Sequence, residues 1–277
     1  MRLRSLLFVP GDRPERMVKA RGLGADALIL DLEDSVAPAG KAAARAHVAA
    51  ALAEPRTVPL FVRINPLDSG LADDDLAAVL AGKPDGIVLP KAEGAASLAA
   101  LDARLSGDTV ILPIATETPA AIFMLGSYGG VTDRLVGLTW GAEDLPAAIG
   151  AATSREADGS YTAPYQLARS LTLFGAHAAR VAAIETVYPD FRDLDGLAAY
   201  AARGRRDGFT GMMAIHPSQV AVINAAFTPS AEDRAKAQAI VDLFAANPGA
   251  GALQIEGRMV DAPHLKAAKA VLALAAD

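Results

Sequence analysis

The chain has 277 residues, 52% of them hydrophobic, no cysteine and a formal net charge of −6. Thiol nucleophiles, disulfides and cysteine-held zinc are thereby excluded, and the acidic balance lacks the basic footprint of a protein that tracks nucleic-acid phosphates. No run approaches the ~18 apolar residues of a membrane span. The apolar stretch before Pro10-Gly11 is too short for a signal peptide, so a cytoplasmic protein with no membrane partner is expected.

Short apolar runs alternate with helix-forming stretches. Ser5–Pro10 predicts a first strand, and Arg13–Leu23 a helix with Asp12 as its N-cap and Pro14 in its first turn. Ala27–Leu32 predicts a second strand with Asp31, Glu33 and Asp34 at its end, followed by an alanine-rich helix over Pro38–Ala53. Leu60–Ile64 closes on Arg63 and Asn65, and Asp73–Ala81 follows as a helix with an acidic start. Gly86–Leu89 runs into Lys91 and Glu93, and Val110–Thr118 carries Glu117; their helices are expected over Ala95–Leu105 and Pro119–Gly126. Leu135–Trp140 runs into Glu143 and Asp144, then a Gly/Ala/Ser loop and a long helix near Tyr165–Arg180. Val181–Val187 with Leu194–Asp207, and Met212–Ile215 with Ser218–Ala226, complete eight strand-then-helix units.

Apolar runs between helices read as buried parallel strands. Eight units is the count of a (β/α)8 TIM barrel, with an open doubly wound sheet as the alternative. The barrel is expected over residues 1–228, with a C-terminal helical and hairpin extension over 229–277. The extension comprises a helix over Ala231–Ala245 capped by Ser230, a hairpin over Ala252–Val260 around Gly257, and a helix over Asp261–Ala276.

Barrels keep their chemistry at the C-terminal ends of their strands, which is where this chain concentrates charge. Glu117 (in ATETPAA) reads either as a helix-capping acid or as a metal ligand. Glu143 and Asp144 (in GAEDL) read either as a helix start or as a partner for it. A Glu and an Asp on adjacent strand ends suit Mg²⁺, which takes one or two protein carboxylates and keeps waters. Arg63 is an ion-pair residue at the rim or a grip for a carboxylate or enolate oxygen. The acids Asp31, Glu33 and Asp34 repel one another unless paired or hydrated, which suits a role orienting Arg63 or Lys91, or holding metal-bound water. Arg13, Arg16, Lys19 and Arg21 form an ordinary basic helix face or a site for phosphates. His216, before Pro217, reads as structural. No GxGxxG, Walker or GxSxG motif is present.

The segments RSLLFVPGDRPERMVKA, DALILDLEDSVAP with Lys41 and Arg45, FVRIN, GIVLPKAE, ETPAA, GAEDLPAAIG, DGFTGMMAIHPSQVAVIN and GRMVDAPHLKAA span nearly the whole chain in order. Together they resemble the citrate lyase β-subunit-like (CitE-like) CoA-ester lyases of the HpcH/HpaI aldolase group. The resemblance implies a (β/α)8 barrel and an enzyme dependent on Mg²⁺, or Mn²⁺. It implies cleavage of 3-hydroxyacyl thioesters such as malyl-, β-methylmalyl- or citramalyl-CoA to a 2-oxo acid and an acyl-CoA, with CoA entering as part of the substrate. Glu117 and Asp144 would be the metal ligands and Arg63 the oxyanion stabiliser; Glu33 is read as catalytic from the acid cluster itself, not from the resemblance. Asp261 would be the acid/base, supplied by a neighbouring subunit of a homotrimer or hexamer. Arg16 and Lys19, with Arg13, would hold the CoA phosphates. A thioesterase on the same barrel, a citrate lyase β subunit needing partner chains, and a silent CoA-binding subunit are the alternatives. The chain departs from the family pattern at Met212, where a lysine is usual, and at Glu185, where an aspartate is usual.

Overall fold

The computed structural model describes residues 1–276. Its first unit comprises Met1 and Leu3–Asn224. There, eight parallel strands each lead into helix: β1 (Ser5–Pro10), α1 (Pro14–Ala20), β2 (Ala27–Asp31), α2 (Lys41–Ala53), β3 (Leu60–Arg63), α3 (Ala72–Val79), β4 (Gly86–Leu89), α4 (Ala95–Asp102), β5 (Val110–Pro113), α5 (Pro119–Met124), β6 (Gly137–Thr139), α6 (Asp144–Ile149), α7 (Ala163–Ala179), β7 (Ala182–Glu185), α8 (Leu194–Asp207), β8 (Gly211–Ala214) and α9 (Pro217–Ala226).

The strands are ordered β5-β4-β3-β2-β1-β8-β7-β6. The remaining gap is bridged by Ile111 N–H to Arg134 O at 2.8 Å, Val136 N–H to Ile111 O at 3.1 Å and Ala115 N–H to Thr139 O at 2.8 Å. These bonds turn the sheet into a nearly closed barrel, and the open doubly wound alternative falls. Side chains alternate across a strand. One face of seven of the eight strands therefore fills the lumen, through Leu6, Ile29, Phe61, Val88, Leu112, Ile184 and Met213.

The opposite face of β7 explains Glu185. It points away from the lumen, fully buried, and accepts from Trp140 Nε1 (2.5 Å), Tyr200 OH (2.9 Å) and Arg169 Nε (2.7 Å). Arg169 also reaches Asp207 at 2.8 Å. The longer acid thus ties α7 and α8 to the barrel wall. Met212 likewise lies on the outer face of β8 and is fully buried, so this departure does not touch the mouth.

Several helix ends differ from expectation. Asp12 does not cap α1: the N-cap position is Arg13, which makes no side-chain cap, and Asp12 instead pairs with Arg13 at 3.5 Å. The stretch expected as loop after β6 opens with α6, whose acidic start gives way after two turns to Gly150 in the left-handed region (φ 68°).

The second unit takes Arg2 and the chain from Ala225 onward. It holds α10 (Ala231–Ala246), β9 (Ala252–Ile255), β10 (Arg258–Asp261) and α11 (Ala262–Ala276). Ser230 caps α10 through a reciprocal capping box with Asp233. Glu256 and Gly257 both adopt positive φ (50° and 77°), the conformation of a tight two-residue hairpin turn.

Removing one partner of a buried charged network leaves the rest uncompensated, at a cost of about 3–5 kcal/mol. Glu185→Ala is expected to lose stability on that scale in urea unfolding. Glu232→Ala, which removes only the exposed Lys236 pair, is expected to leave the midpoint unchanged.

Candidate active site

Above the apolar core, four of the strands each contribute one further lumenal position. Stepping two residues from Ile29, Phe61, Ile184 and Met213 reaches Asp31, Arg63, Thr186 and Ile215, and all four line a cavity of about 420 Å³. Glu117 and Asp144 line the same cavity.

The parallel register places Asp31 opposite Arg63. Their side chains close a bidentate pair, with Nε and Nη2 each 2.7 Å from a carboxylate oxygen. The Phe8 ring lies 4.8 Å from the guanidinium carbon. Nη1 sits 2.8 Å from Glu33 Oε2 as an ion pair without aligned hydrogen-bond geometry, so its N–H groups remain free to donate elsewhere. Burial raises the Asp31 carboxyl, but the Arg63 contacts outweigh it and bring the group below the usual range. Glu33 ends above its usual value, through burial and the nearby Asp34 charge. Arg63 is depressed by burial and raised further by Asp31, so it stays charged.

The frame is braced from behind. Lys41 Nζ donates to Leu32 O (2.6 Å), Glu33 O (2.7 Å) and Asn65 Oδ1 (2.8 Å). Asn65 in turn donates to buried Asp75, which Arg45 holds at 2.7 Å. These bonds fix the turn that carries Glu33.

Lys91 joins this frame to the other two acids. Its backbone adopts φ 50°, an uncommon conformation for a non-glycine residue. There its N–H donates to Glu117 Oε2 at 2.6 Å. Its Nζ lies 3.2 Å from Glu33 Oε1 and 3.4 Å from Asp144 Oδ1. Burial disfavours the Lys91 charge, but Glu33, Asp144 and Glu117 more than restore it. Gly141 makes room for Glu117: a Cβ there would lie 2.7 Å from Glu117 Cγ. Thr116 Oγ1 both accepts from Gly141 N–H (3.0 Å) and donates to Gly141 O (3.1 Å), stitching the ends of β5 and β6 together.

Burial, with Asp144 and Glu33 adding repulsion, pushes Glu117 up to about 8 against the Lys91 N–H and Arg63. Two carboxylates aimed into one cavity, one of them ionising at a cost that a cation would relieve, fit a hard oxygen-seeking ion. Among the described residues no cluster of three or more His, Asp or Glu is arranged around a metal position. Any ion held by this pair would complete its shell with water or substrate oxygens.

A second cavity, of about 390 Å³, is lined by Arg16, Lys19 and His216 and shares Phe8, Pro10 and Ile215 with the first. His216 stacks on Phe191 at 4.6 Å, and its Nδ1 lies 2.8 Å from Ser218 Oγ. Arg13 is exposed and paired with Asp12, outside this lining. Arg21 instead caps carbonyls of Ala51 and Pro55. Asp261 belongs to the second unit, where His264 Nδ1 lies 2.5 Å from its Oδ1. Sequence reasoning left Lys91 and Thr186 without roles of their own. Thr186 is buried, its Oγ1 has no hydrogen-bond partner among the described residues, and it faces the cavity. Its position two residues past a lumenal isoleucine was the available signal.

Glu117 ionises at about 8 in the fold against 4.5 for its unperturbed carboxyl. Neutrality is therefore free below pH 4.5, and stability is lost as pH rises from there to 8, because the unfolded chain ionises first. Glu117→Gln stays neutral throughout. In chelator at pH 8.5 it is expected to melt about 8 °C above the parent, for ~4–5 kcal/mol, with only about a third of that gain at pH 5.5. Thermal scans at the two pH values check this; equal shifts would contradict the burial argument.

Comparison with known proteins follows the same lines. The family model for HpcH/HpaI aldolase/citrate lyase matches residues 4–217. A citrate lyase subunit beta-like protein of Mycobacterium tuberculosis is 40% identical over 98% of this chain and 95% of its own. Mitochondrial citramalyl-CoA lyase of Rattus norvegicus is 33% identical over 98% and 86%. A (3S)-malyl-CoA thioesterase of Cereibacter sphaeroides is 34% identical over 98% and 94%. The crystal structure of M. tuberculosis CitE with magnesium, acetoacetate and coenzyme A superposes with a TM-score of 0.85 at 37% identity, covering 99% of this chain and 98% of that one. The chain belongs to the HpcH/HpaI aldolase/citrate lyase family.

Proposed function

We propose that this chain is a divalent-metal-dependent carbon–carbon lyase that cleaves, or in reverse forms, a 3-hydroxyacyl-CoA thioester of the malyl-, β-methylmalyl- or citramalyl-CoA class. The observation that carries this reading is the pair of adjoining cavities. One gathers Glu117, Asp144 and Arg63, and the other, sharing three lining residues with it, presents Arg16 and Lys19. A small hydroxy acid on a long phosphate-bearing carrier uses both. The names of the rat lyase and of the CitE complex with magnesium and coenzyme A support the same class.

Glu117 and Asp144 would hold Mg²⁺, or Mn²⁺, which shares its preference for oxygen donors. When bound, the cation supplies positive charge that acidifies the substrate hydroxyl and stabilises the carbonyl of the departing 2-oxo acid. Arg63 offers its Nη1 donors to the enolate oxygen that develops on the thioester as the carbon–carbon bond breaks. Glu33 keeps both Arg63 and Lys91 aimed at the cavity. Asp261, held below its usual range chiefly by the His264 hydrogen bond, is suited as a carboxylate to take the α-proton in condensation. In cleavage the substrate hydroxyl gives up its proton to solvent at the cavity mouth, and the acid form of Asp261 delivers one to the enolate carbon. We place it in a neighbouring subunit's mouth, within a homotrimer or hexamer.

A thioesterase reading has one observation in its favour, the 34% identical malyl-CoA thioesterase. Incubation with malyl- and citramalyl-CoA plus Mg²⁺, with products identified by mass spectrometry, separates the two. The lyase yields acetyl-CoA and a 2-oxo acid and stops in chelator; free CoA with intact hydroxy acid would establish hydrolysis instead. In the same assay Arg63→Lys is expected to lower kcat about 10²-fold, since an ammonium cannot reproduce the pinned donors. Combined Arg16→Ala and Lys19→Ala is expected to raise KM about tenfold or more with kcat nearly unchanged, as for uniform binding of a substrate handle. A kcat loss without a KM change in that double variant would move the carrier elsewhere.

A further inference from the structure

A third cavity, of about 300 Å³, lies outside the two that form the proposed site. It is lined by Arg155, Asp158 and Tyr161 from the loop between α6 and α7, by Tyr188 after β7, and by Tyr200 and Arg203 of α8. Its two guanidinium groups are held differently. Arg155 lies flat on the Tyr161 ring at 4.0 Å and donates to Gly159 O (2.9 Å) and Tyr161 OH (2.8 Å). Arg203 lies over the Tyr200 ring at 5.1 Å. It is half-buried, and among the described residues its guanidinium makes no hydrogen bond and no ion pair; its Nε is shut off from solvent altogether.

A partly desolvated arginine without an acceptor is costly, and a second arginine on the same cavity adds repulsion. Neither guanidinium has a carboxylate partner among the described residues. The lining carboxylate, Asp158, directs Oδ1 to the N–H (2.9 Å) and hydroxyl (2.6 Å) of Ser160. Tyr188 donates to Asp193, and Tyr200 donates away from the cavity to Glu185. Two cations braced by aromatic faces, with donors to spare and neither bonded to the one lining carboxylate, which is engaged by Ser160, form a receptor for an anion. The volume is at the low end for ligand pockets, which selects a compact one.

We propose that this cavity binds a small oxyanion, phosphate or a short dicarboxylate, between Arg155 and Arg203. The chain carries its own reporter. Trp140 is the sole tryptophan, and Tyr161 packs edge-on against it at 5.1 Å, so filling the cavity changes the Trp140 surroundings.

The test is a titration of the full chain with sodium phosphate and, separately, sodium succinate, each against sodium chloride at matched ionic strength, following Trp140 emission. A saturable change with one of the two anions and none with chloride is expected, and the responding anion identifies the class. Arg203→Gln is expected to weaken that response at least tenfold while melting at or above the parent temperature in anion-free buffer, since an unpaired buried charge has been removed. Arg16→Gln, in the separate cavity that presents Arg16 and Lys19, is expected to respond like the parent. The proposal is overturned by a response that only follows ionic strength, by Arg203→Gln titrating like the parent, by loss of the response in Arg16→Gln, or by an Arg203→Gln protein that melts several degrees lower.

Discussion

Arg63 and Asp31 face each other across β2 and β3 because the strand register makes them Cα partners one step above the apolar lumen. The consequence is a buried, bidentate ion pair at the floor of the mouth, which the surrounding charges all answer to. Asp31 takes the guanidinium edge, Glu33 faces Nη1 as an ion pair without engaging its N–H groups, and Lys91 bridges from Glu33 to Asp144. A guanidinium pinned on one side and open on the other is a fixed positive charge with directed donors. That arrangement suits the role proposed for Arg63, because donors already held in place need no reorganisation as negative charge develops.

The same frame accounts for the less comfortable features of the site. Glu117 is buried beside two other acids and held by a backbone N–H from a residue in left-handed conformation. Each of these costs stability in isolation. Together they leave a carboxylate whose ionisation is unfavourable until positive charge arrives, next to an Asp144 already facing a cation. The fold offsets the cost elsewhere, through the closed apolar lumen and through the Glu185 network that fastens α7 and α8 to the wall.

The barrel was legible because parallel strands covered on both faces read as continuous apolar runs, and their count and spacing survive without alignment. What such runs hide is which side of each strand faces the lumen. Arg63 and Asp31 could therefore both be singled out without their pairing being seen, and Glu185 could be noticed without its turning outward being known. Lys91 holds Glu117 through a backbone N–H set by a left-handed dihedral, which no residue type other than glycine advertises in sequence. The acids at Glu143 and Asp144 allowed a helix start, which α6 bears out, but its Pro146 and the glycine at its end resemble loop composition and hid the helix that follows. Arg203 looks in sequence like any arginine on an amphipathic helix; its lack of a partner exists only in three dimensions.

The central claim is that Glu117 and Asp144 jointly hold a divalent cation and that the cation displaces the Glu117 proton. Calorimetric titration with Mg²⁺ at pH 7, in two buffers of different ionisation enthalpy, counts that proton directly. A buried carboxyl ionising at about 8 implies close to one proton released per cation bound, with binding lost in Asp144→Asn. Binding with no proton released, or undiminished in both Asp144→Asn and Glu117→Gln, would place the cation somewhere else.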